Sequence, residues 1–283
     1  MGENKVQDYI TIGRTFENYK WYKPLLTIIV TIIIYLILNT VVTAIFAGIY
    51  GDAFITNMSA TYEAMNMADA TTIYGFLVLI LFIPSIYIAS KIVKDRPFSS
   101  YASSRGGWDW KLYLKCLAIP IAIYVVMTLI SIAIQGQSHG VNRLTPLVIV
   151  VFIVLICAQS ISEEFLFRGI IMQTIGSWVN IPVVAIIIPS ALFAALHPYN
   201  IIGVVTTFIV GVMFAVVAWK TNGLEAGSAI HSINNITSFM LGFSGIQQIA
   251  TNATPVDAVI NLASPMISII VIIYLGKKYE WFE

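Results

Sequence analysis

Eight apolar runs follow one another along the chain, and most are close to the length that crosses a bilayer. A helix of about 20 residues covers the roughly 30 Å of hydrocarbon. The pattern predicts an all-α polytopic membrane protein of about eight transmembrane helices, forming a single membrane domain over residues 1–283. The predicted spans are 25–50, 71–93, 112–134, 145–175, 182–197, 201–219, 223–243 and 257–276.

The fourth and fifth runs depart from this simple pattern. Residues 145–175 are too many for one straight crossing, so we expect part of this run to tilt, break or lie along the interface. Gly169 and Gly176 are the expected places for that change. The fifth run, 182–197, is short, and Pro198 ends it.

The runs also divide the membrane domain into regions. Residues 1–24 form a polar tail without the early apolar stretch of a signal peptide, so the first run is expected to be a permanent helix. Residues 25–134 hold the first three helices, 145–243 hold the core helices that carry the candidate chemistry, and 257–276 form the last helix.

The basic residues orient the helices. With eight spans, Arg143 alone falls on the second face, Arg168 lies inside a span, and every other basic residue falls on the first face. Lys and Arg concentrate in cytoplasmic segments, so both termini are predicted to be cytoplasmic. The acidic connection 51–70 should face outward, with Asp52, Glu63 and Asp69. The basic residues of the cytoplasmic face are Lys5, Arg14, Lys20, Lys23, Lys91, Lys94, Arg96, Arg105, Lys111, Lys115, Lys220, Lys277 and Lys278.

The composition agrees with this assignment. The chain is 58% apolar and only 10% charged, whereas soluble domains carry about 25% charged residues. The net charge of +1 gives no electrostatic basis for a nucleic-acid partner. We therefore expect an integral, multi-pass protein whose surroundings are the lipid bilayer, in a bacterial cell membrane.

Three charged residues interrupt the fourth span. Glu163, Glu164 and Arg168 lie in an otherwise apolar helix, where three uncompensated charges would cost on the order of 8–10 kcal/mol. Glu164 and Arg168 are spaced i,i+4 and can pair on one helix face. Glu163 points elsewhere and is left as the carboxylate that is free for chemistry.

Two other spans carry polar groups at membrane depth. Phe193 and His197 are spaced i,i+4, and so are His231 and Asn235. Because each polar group needs a partner inside the hydrocarbon, we expect the three helices to meet around a water-filled cavity that opens to one side.

These residues also resemble the motifs of a known family. EEFLFR (163–168) matches EExxxR, FAALH (193–197) matches FxxxH, and HSINN (231–235) matches HxxxN of the CAAX-protease and bacteriocin-processing membrane peptidases. This group is also called the ABI or CPBP family and includes the type II CAAX prenyl endopeptidases. The resemblance covers roughly residues 145–243.

The resemblance implies an intramembrane endopeptidase that acts on a membrane-associated protein or peptide. Glu163 would be the general base that activates a water, His197 would position that water, and His231 with Asn235 would stabilise the oxyanion. Glu164 and Arg168 would hold the first carboxylate in place. Phe193 would contact the substrate.

Other interpretations stay open at this stage. Glu163, His197 and His231 could instead bind zinc with one open position, although the HExxH arrangement is lacking and we favour a mechanism without a cofactor. A transporter, or an immunity protein that binds a peptide without cutting it, would use similar polar sets. Prenylated CAAX chains, pheromone precursors and bacteriocin leaders are all compatible substrates.

Overall fold

The computed structural model describes residues 8–58, 69–247 and 252–282, and the elements in these ranges are helices without strands. The predicted class, an all-α polytopic membrane protein, is confirmed. The helices are α1 (Lys23–Met58), α2 (Ala70–Ile80), α3 (Phe82–Val93), α4 (Ser99–Ala102), α5 (Trp110–Gln135), α6 (Pro146–Glu164), α7 (Gln173–Val179), α8 (Pro182–Ala195), α9 (Ile201–Lys220), α10 (Glu225–Ser244) and α11 (Pro255–Lys278).

Each predicted span corresponds to a helical segment, but the segments are not equally suited to crossing a membrane. Within the described ranges six are long and apolar enough: Lys23–Gly51, Ala70–Val93, Trp110–Gln135, Pro146–Val179, Ile201–Lys220 and Pro255–Lys278. The fifth predicted span, α8, has only 14 residues, or about 21 Å of helix. The seventh, α10, has 20 residues but is much more polar than the others. The count of eight crossings and the cytoplasmic termini stay predictions.

Side chains before the helices determine where several of them begin. Asp69, Asp109, Thr145 and Asn200 each accept a hydrogen bond from a backbone N–H of the first turn of α2, α5, α6 and α9. These bonds satisfy donors that a helix start leaves unpaired. Asp69 thus belongs to a helix start, whereas Glu63, Lys5 and the side chain of Asp52 lie outside the described residues.

The long fourth run stays helical throughout. A π-helical segment, Phe165–Met172, joins α6 to α7, so Pro146–Val179 forms a continuous helix of 34 residues. Gly169 lies in this π segment, and Gly176 is an ordinary residue of α7. The expected change of geometry therefore occurs around Gly169 as a widened turn, and the run does not break.

The polar helix α10 lies at the centre of the bundle. It packs against α5, α6, α9 and α11, and its first nine residues, 225–233, are all buried. Polar side chains at membrane depth are tolerated where protein surrounds them. In contrast, α1 exposes a stripe of large apolar residues: Ile29, Ile32, Ile33, Leu36 and Ile37.

The N-terminal tail folds against the helix ends, which its polar sequence does not reveal. Tyr9 and Ile10 are fully buried, and the Tyr9 hydroxyl donates to the Tyr101 carbonyl at 2.6 Å. Gly176 permits this packing, because a Cβ there would stand 2.6 Å from the Ile10 carbonyl oxygen. The tail is therefore part of the folded core.

A buried ion pair fixes the start of α10. Glu225 Oε2 accepts from Arg105 Nη2 at 2.7 Å, and Glu225 Oε1 accepts from the backbone N–H of Asp109 at 3.0 Å. Arg105 also donates to the carbonyl of Thr221. Glu225 thus ties the segment before α5 to the turn between α9 and α10.

Candidate active site

The EExxxR motif lies where α6 passes into the π segment. Glu163, Glu164 and Arg168 are all buried, with relative exposures of 8%, 0% and 0%. π-helical turns inside α-helices are frequent at functional sites. The motif therefore combines buried charge with local helix widening.

Arg168 is held from three sides. Its Nη1 donates to Glu164 Oε1 at 2.9 Å, which is the i,i+4 pair predicted from the sequence. Its Nη2 donates to the Gly211 carbonyl at 2.8 Å. The guanidinium also lies over the rings of Phe193 and Phe214, at 4.9 and 5.6 Å. One cation thus joins the π segment to α8 and α9.

His231 lies between the two carboxylates. Its Nδ1 is 2.9 Å from Glu164 Oε1, and its Nε2 is 3.4 Å from Glu163 Oε2. Glu164 is paired with Arg168 and is an acceptor, so the Nδ1 position carries a proton. The other ring nitrogen, Nε2, therefore faces Glu163 and not the buried Glu164–Arg168 pair.

Asn235 belongs to a chain of amides one turn further along α10. Its Nδ2 donates to Gln159 Oε1 at 3.1 Å, and its Oδ1 accepts from Asn234 at 3.2 Å. Asn234 in turn accepts from the Tyr124 hydroxyl at 3.2 Å. These bonds fix the orientation of the Asn235 amide.

Gln159, Asn234 and Tyr124 are members of the site that the sequence did not indicate. Gln159 lies one helical turn before Glu163, at i−4, so the same spacing rule that paired Glu164 with Arg168 could have found it. Tyr124, on α5, offers no comparable signal.

His197 lies just beyond the end of α8. Its Nδ1 donates to the Phe193 carbonyl at 2.7 Å, so Nε2 of the neutral ring is an acceptor. The Phe193 ring contacts both imidazoles, with centroids 4.6 Å from His197 and 5.9 Å from His231. Phe193 is 2% exposed, so most of its ring surface packs against the site itself.

The predicted cavity is present beside these groups, with a volume of about 300 Å³. His197, His231, Asn235 and Phe193 all line it, and Glu163 adjoins it through His231, whose Nε2 lies 3.4 Å from Glu163 Oε2. Tyr199 lines it as well, and burial, with the nearby Glu163 charge, raises the pKa of the Tyr199 hydroxyl. Three of the six predicted polar residues, His197, His231 and Asn235, therefore line one pocket. Glu163, Glu164 and Arg168 are joined to it through His231 and through the Glu164–Arg168 pair.

The described residues do not contain a preformed cluster of metal ligands. Among residues 8–58, 69–247 and 252–282, no three His, Cys, Asp or Glu side chains are grouped as metal ligands. The zinc alternative, with Glu163, His197 and His231 as ligands, is therefore left to the experiment proposed below.

Comparison with known proteins agrees with the motifs. Residues 145–237 match the family model described as type II CAAX prenyl endopeptidase Rce1-like. This stretch is similar to the Rce1-like family. It contains all six polar residues that the sequence predicts for the site, and it confirms the resemblance that the three motifs suggest.

A curated relative extends the similarity beyond this region. The uncharacterized protein YyaK of Bacillus subtilis (strain 168) is 24% identical over 198 residues, which cover 64% of this chain and 66% of YyaK. The chain thus spans just under two thirds of that relative. No solved structure matches the chain.

Proposed function

We propose that the protein is an intramembrane endopeptidase that hydrolyses a peptide bond of a membrane-associated protein or peptide precursor. The Rce1-like match over residues 145–237 supports the reaction class. The long apolar helices support the bilayer as the setting, and the Bacillus relative supports a bacterial cell membrane.

One observation carries the proposal. A carboxylate, Glu163, lies 3.4 Å from an imidazole, His231, that lines a cavity inside the bundle. A general base must lie near the water that it deprotonates, in a place where a substrate can reach. A purely structural ion pair needs no such access.

The reaction begins with a water in the cavity. His197 Nε2 accepts a hydrogen bond from the water and positions it, and Glu163 takes its other proton. The water oxygen forms a bond to the carbonyl carbon of the substrate, and the carbonyl oxygen becomes an oxyanion. His231 Nε2–H and the Asn235 amide donate to that oxyanion, each contributing about 3–4 kcal/mol in a site from which bulk water is excluded.

The second step breaks the peptide bond. Glu163 returns the proton to the amide nitrogen, the C–N bond breaks, and an amine and a carboxylic acid leave. Glu164 and Arg168 take no part in proton transfer. They hold His231 through its Nδ1, at 2.9 Å from Glu164 Oε1.

The test uses purified protein in detergent with a library of short peptides and mass spectrometry of the products. We expect cleavage by the wild-type protein, resistance of this cleavage to a strong chelator, and loss of at least a thousandfold in rate in Glu163→Gln and His231→Ala. Glu163→Gln keeps the shape of the side chain but cannot accept the proton. Glu17→Gln is the matched control, because Glu17 is exposed on the N-terminal tail.

The alternatives give different results. Activity that a chelator removes and zinc restores identifies the zinc enzyme. Peptide binding without cleavage by the wild-type protein identifies a binding or immunity protein. Cleavage that survives in Glu163→Gln refutes the assignment of Glu163 as the base.

A further inference from the structure

The cavity runs from the candidate active site toward one end of the bundle. Its lining extends from His231 toward Leu241 along α10 and from Tyr124 to Ser131 along α5. On α9 and α11 it includes residues near the helix starts, such as Gly203 and Asp257. The ends of α5 and α10 and the starts of α9 and α11 lie at the same end of the bundle, so the cavity leads there.

The basic residues lie mostly at the other end. Lys111 and Lys115 are at the start of α5, Lys220 ends α9, and Lys277 is in the last turn of α11. Within the described chain Arg143 is the exception. Because basic segments stay cytoplasmic, the cavity leads to the extracytoplasmic face.

The lining is polar. Of the 26 residues that line the cavity, 17 have side chains that form hydrogen bonds, and His197, His231 and Asn235 account for only three of them. Sites for apolar ligands are lined mostly by hydrophobic and aromatic side chains. Among the described residues that line this cavity, those with hydrogen-bonding side chains outnumber the others.

The hydroxyl groups along the cavity are available as acceptors. Thr206, Ser238 and Ser264 each donate their own hydrogen to the carbonyl four residues earlier. Their lone pairs are left free to accept. Ser238 is exposed although α10 is the central helix of the bundle, so its exposed surface faces the cavity.

An extended peptide matches this pattern and a prenyl chain does not. Each peptide residue brings a backbone N–H and C=O that must find partners away from bulk water. A prenyl chain would displace water from these hydroxyl and amide groups without replacing its hydrogen bonds, which is unfavourable for each group left unpaired.

We propose that the site takes an extended peptide segment without a lipid group, which enters from the face opposite the basic segments. This rests on the proposed peptidase function. It differs from the substrate in the name of the Rce1-like family, which is a prenylated chain.

The first experiment compares matched peptides. Library peptides with a single cysteine are prepared as the free thiol and as the S-farnesyl thioether. Cleavage by the wild-type protein and binding to Glu163→Gln are measured for both forms in the same detergent. We expect the free-thiol form to have at least tenfold higher kcat/KM and tighter binding than the farnesylated form. The double variant Thr206→Val/Ser238→Ala should weaken binding of the free-thiol form about threefold to tenfold.

The outcomes separate the two proposals. Preference for the farnesylated form in cleavage or in binding to Glu163→Gln overturns the substrate class and leaves the peptidase function intact. Tighter binding of the free-thiol form without cleavage by the wild-type protein supports the substrate class while the peptidase function fails.

The second experiment tests the side of entry. Ser238→Cys and Lys111→Cys are treated with a membrane-impermeant maleimide in intact cells and in inverted vesicles, with the native protein as the baseline for Cys116 and Cys157. We expect Ser238→Cys to react in intact cells and Lys111→Cys to react only in inverted vesicles. Reaction of Ser238→Cys only in inverted vesicles overturns entry from the extracytoplasmic face.

Discussion

Replacing Arg168 with methionine removes the cation that neutralises Glu164 at the centre of the bundle. The two side chains are completely buried and join at 2.9 Å. The second guanidinium nitrogen donates to the Gly211 carbonyl at 2.8 Å. After the substitution, Glu164 Oε1 keeps its hydrogen bond with His231 Nδ1 but has lost its counterion.

The magnitude follows from this burial. Removing one partner of a buried ion pair costs about 3–5 kcal/mol, because the other charge stays buried without its counterion. This range includes the lost hydrogen bond to Gly211, which by itself is worth about 1 kcal/mol. We therefore expect Arg168→Met to lower the free energy of unfolding by about 3–5 kcal/mol. The double variant Arg168→Met/Glu164→Gln removes both charges and should recover at least about 2 kcal/mol of that loss.

Reversible unfolding in mixed detergent micelles measures these differences. Arg143→Met is the matched control, since Arg143 contacts the nearby backbone at Val141 and lies outside the core; its effect should stay within about 0.5 kcal/mol. If the losses from Arg168→Met and Glu164→Gln simply add in the double variant, the two side chains are not coupled and the reasoning is refuted.

Three further predictions concern residues around the site. Gln159→Leu removes the acceptor that orients Asn235. In steady-state assays kcat should fall about tenfold, as expected for a loss of about 1.4 kcal/mol, with little change in KM. An unchanged kcat contradicts this. Glu225→Gln weakens the contact with Arg105 and should lower the free energy of unfolding by about 1.5–3 kcal/mol. A change below about 0.5 kcal/mol would show that this ion pair contributes no more than a solvent-exposed pair does. Gly176→Val places side-chain atoms where the N-terminal tail packs. Limited proteolysis should therefore cut the tail of the variant at least tenfold faster than that of the native protein. Equal rates of cleavage would show that the tail is not docked against Gly176.

The helices and part of the site follow from local sequence rules. Apolar length and the residues before each helix, such as Thr145 and Asn200, determine the elements. Charges within apolar runs mark Glu163 and Arg168, because such charges persist only with partners. These signals need no knowledge of tertiary contacts.

The remaining contacts depend on which helices become neighbours. Glu225 and Arg105 are 120 residues apart, and Tyr124 reaches Asn234 across 110 residues. A neutral Tyr or Gln within a span has no charge to mark it. The docking of Tyr9 and Ile10 also escapes a periodicity rule, because two buried residues do not make a pattern.

The depth of His197 shows how chain length and tertiary structure combine. If the fifth span crossed the whole bilayer, His197 would lie near the far side, away from Glu163. In the structure Asn180 ends α7 in a left-handed conformation, and Glu163 lies 17 residues before it and His197 17 residues after it. The helices on the two sides of this turn are packed neighbours, and antiparallel helices of equal rise bring these positions to the same level. The equal spacing of Glu163 and His197 from Asn180, along two packed helices, therefore brings them to one level wherever α8 lies in the bilayer.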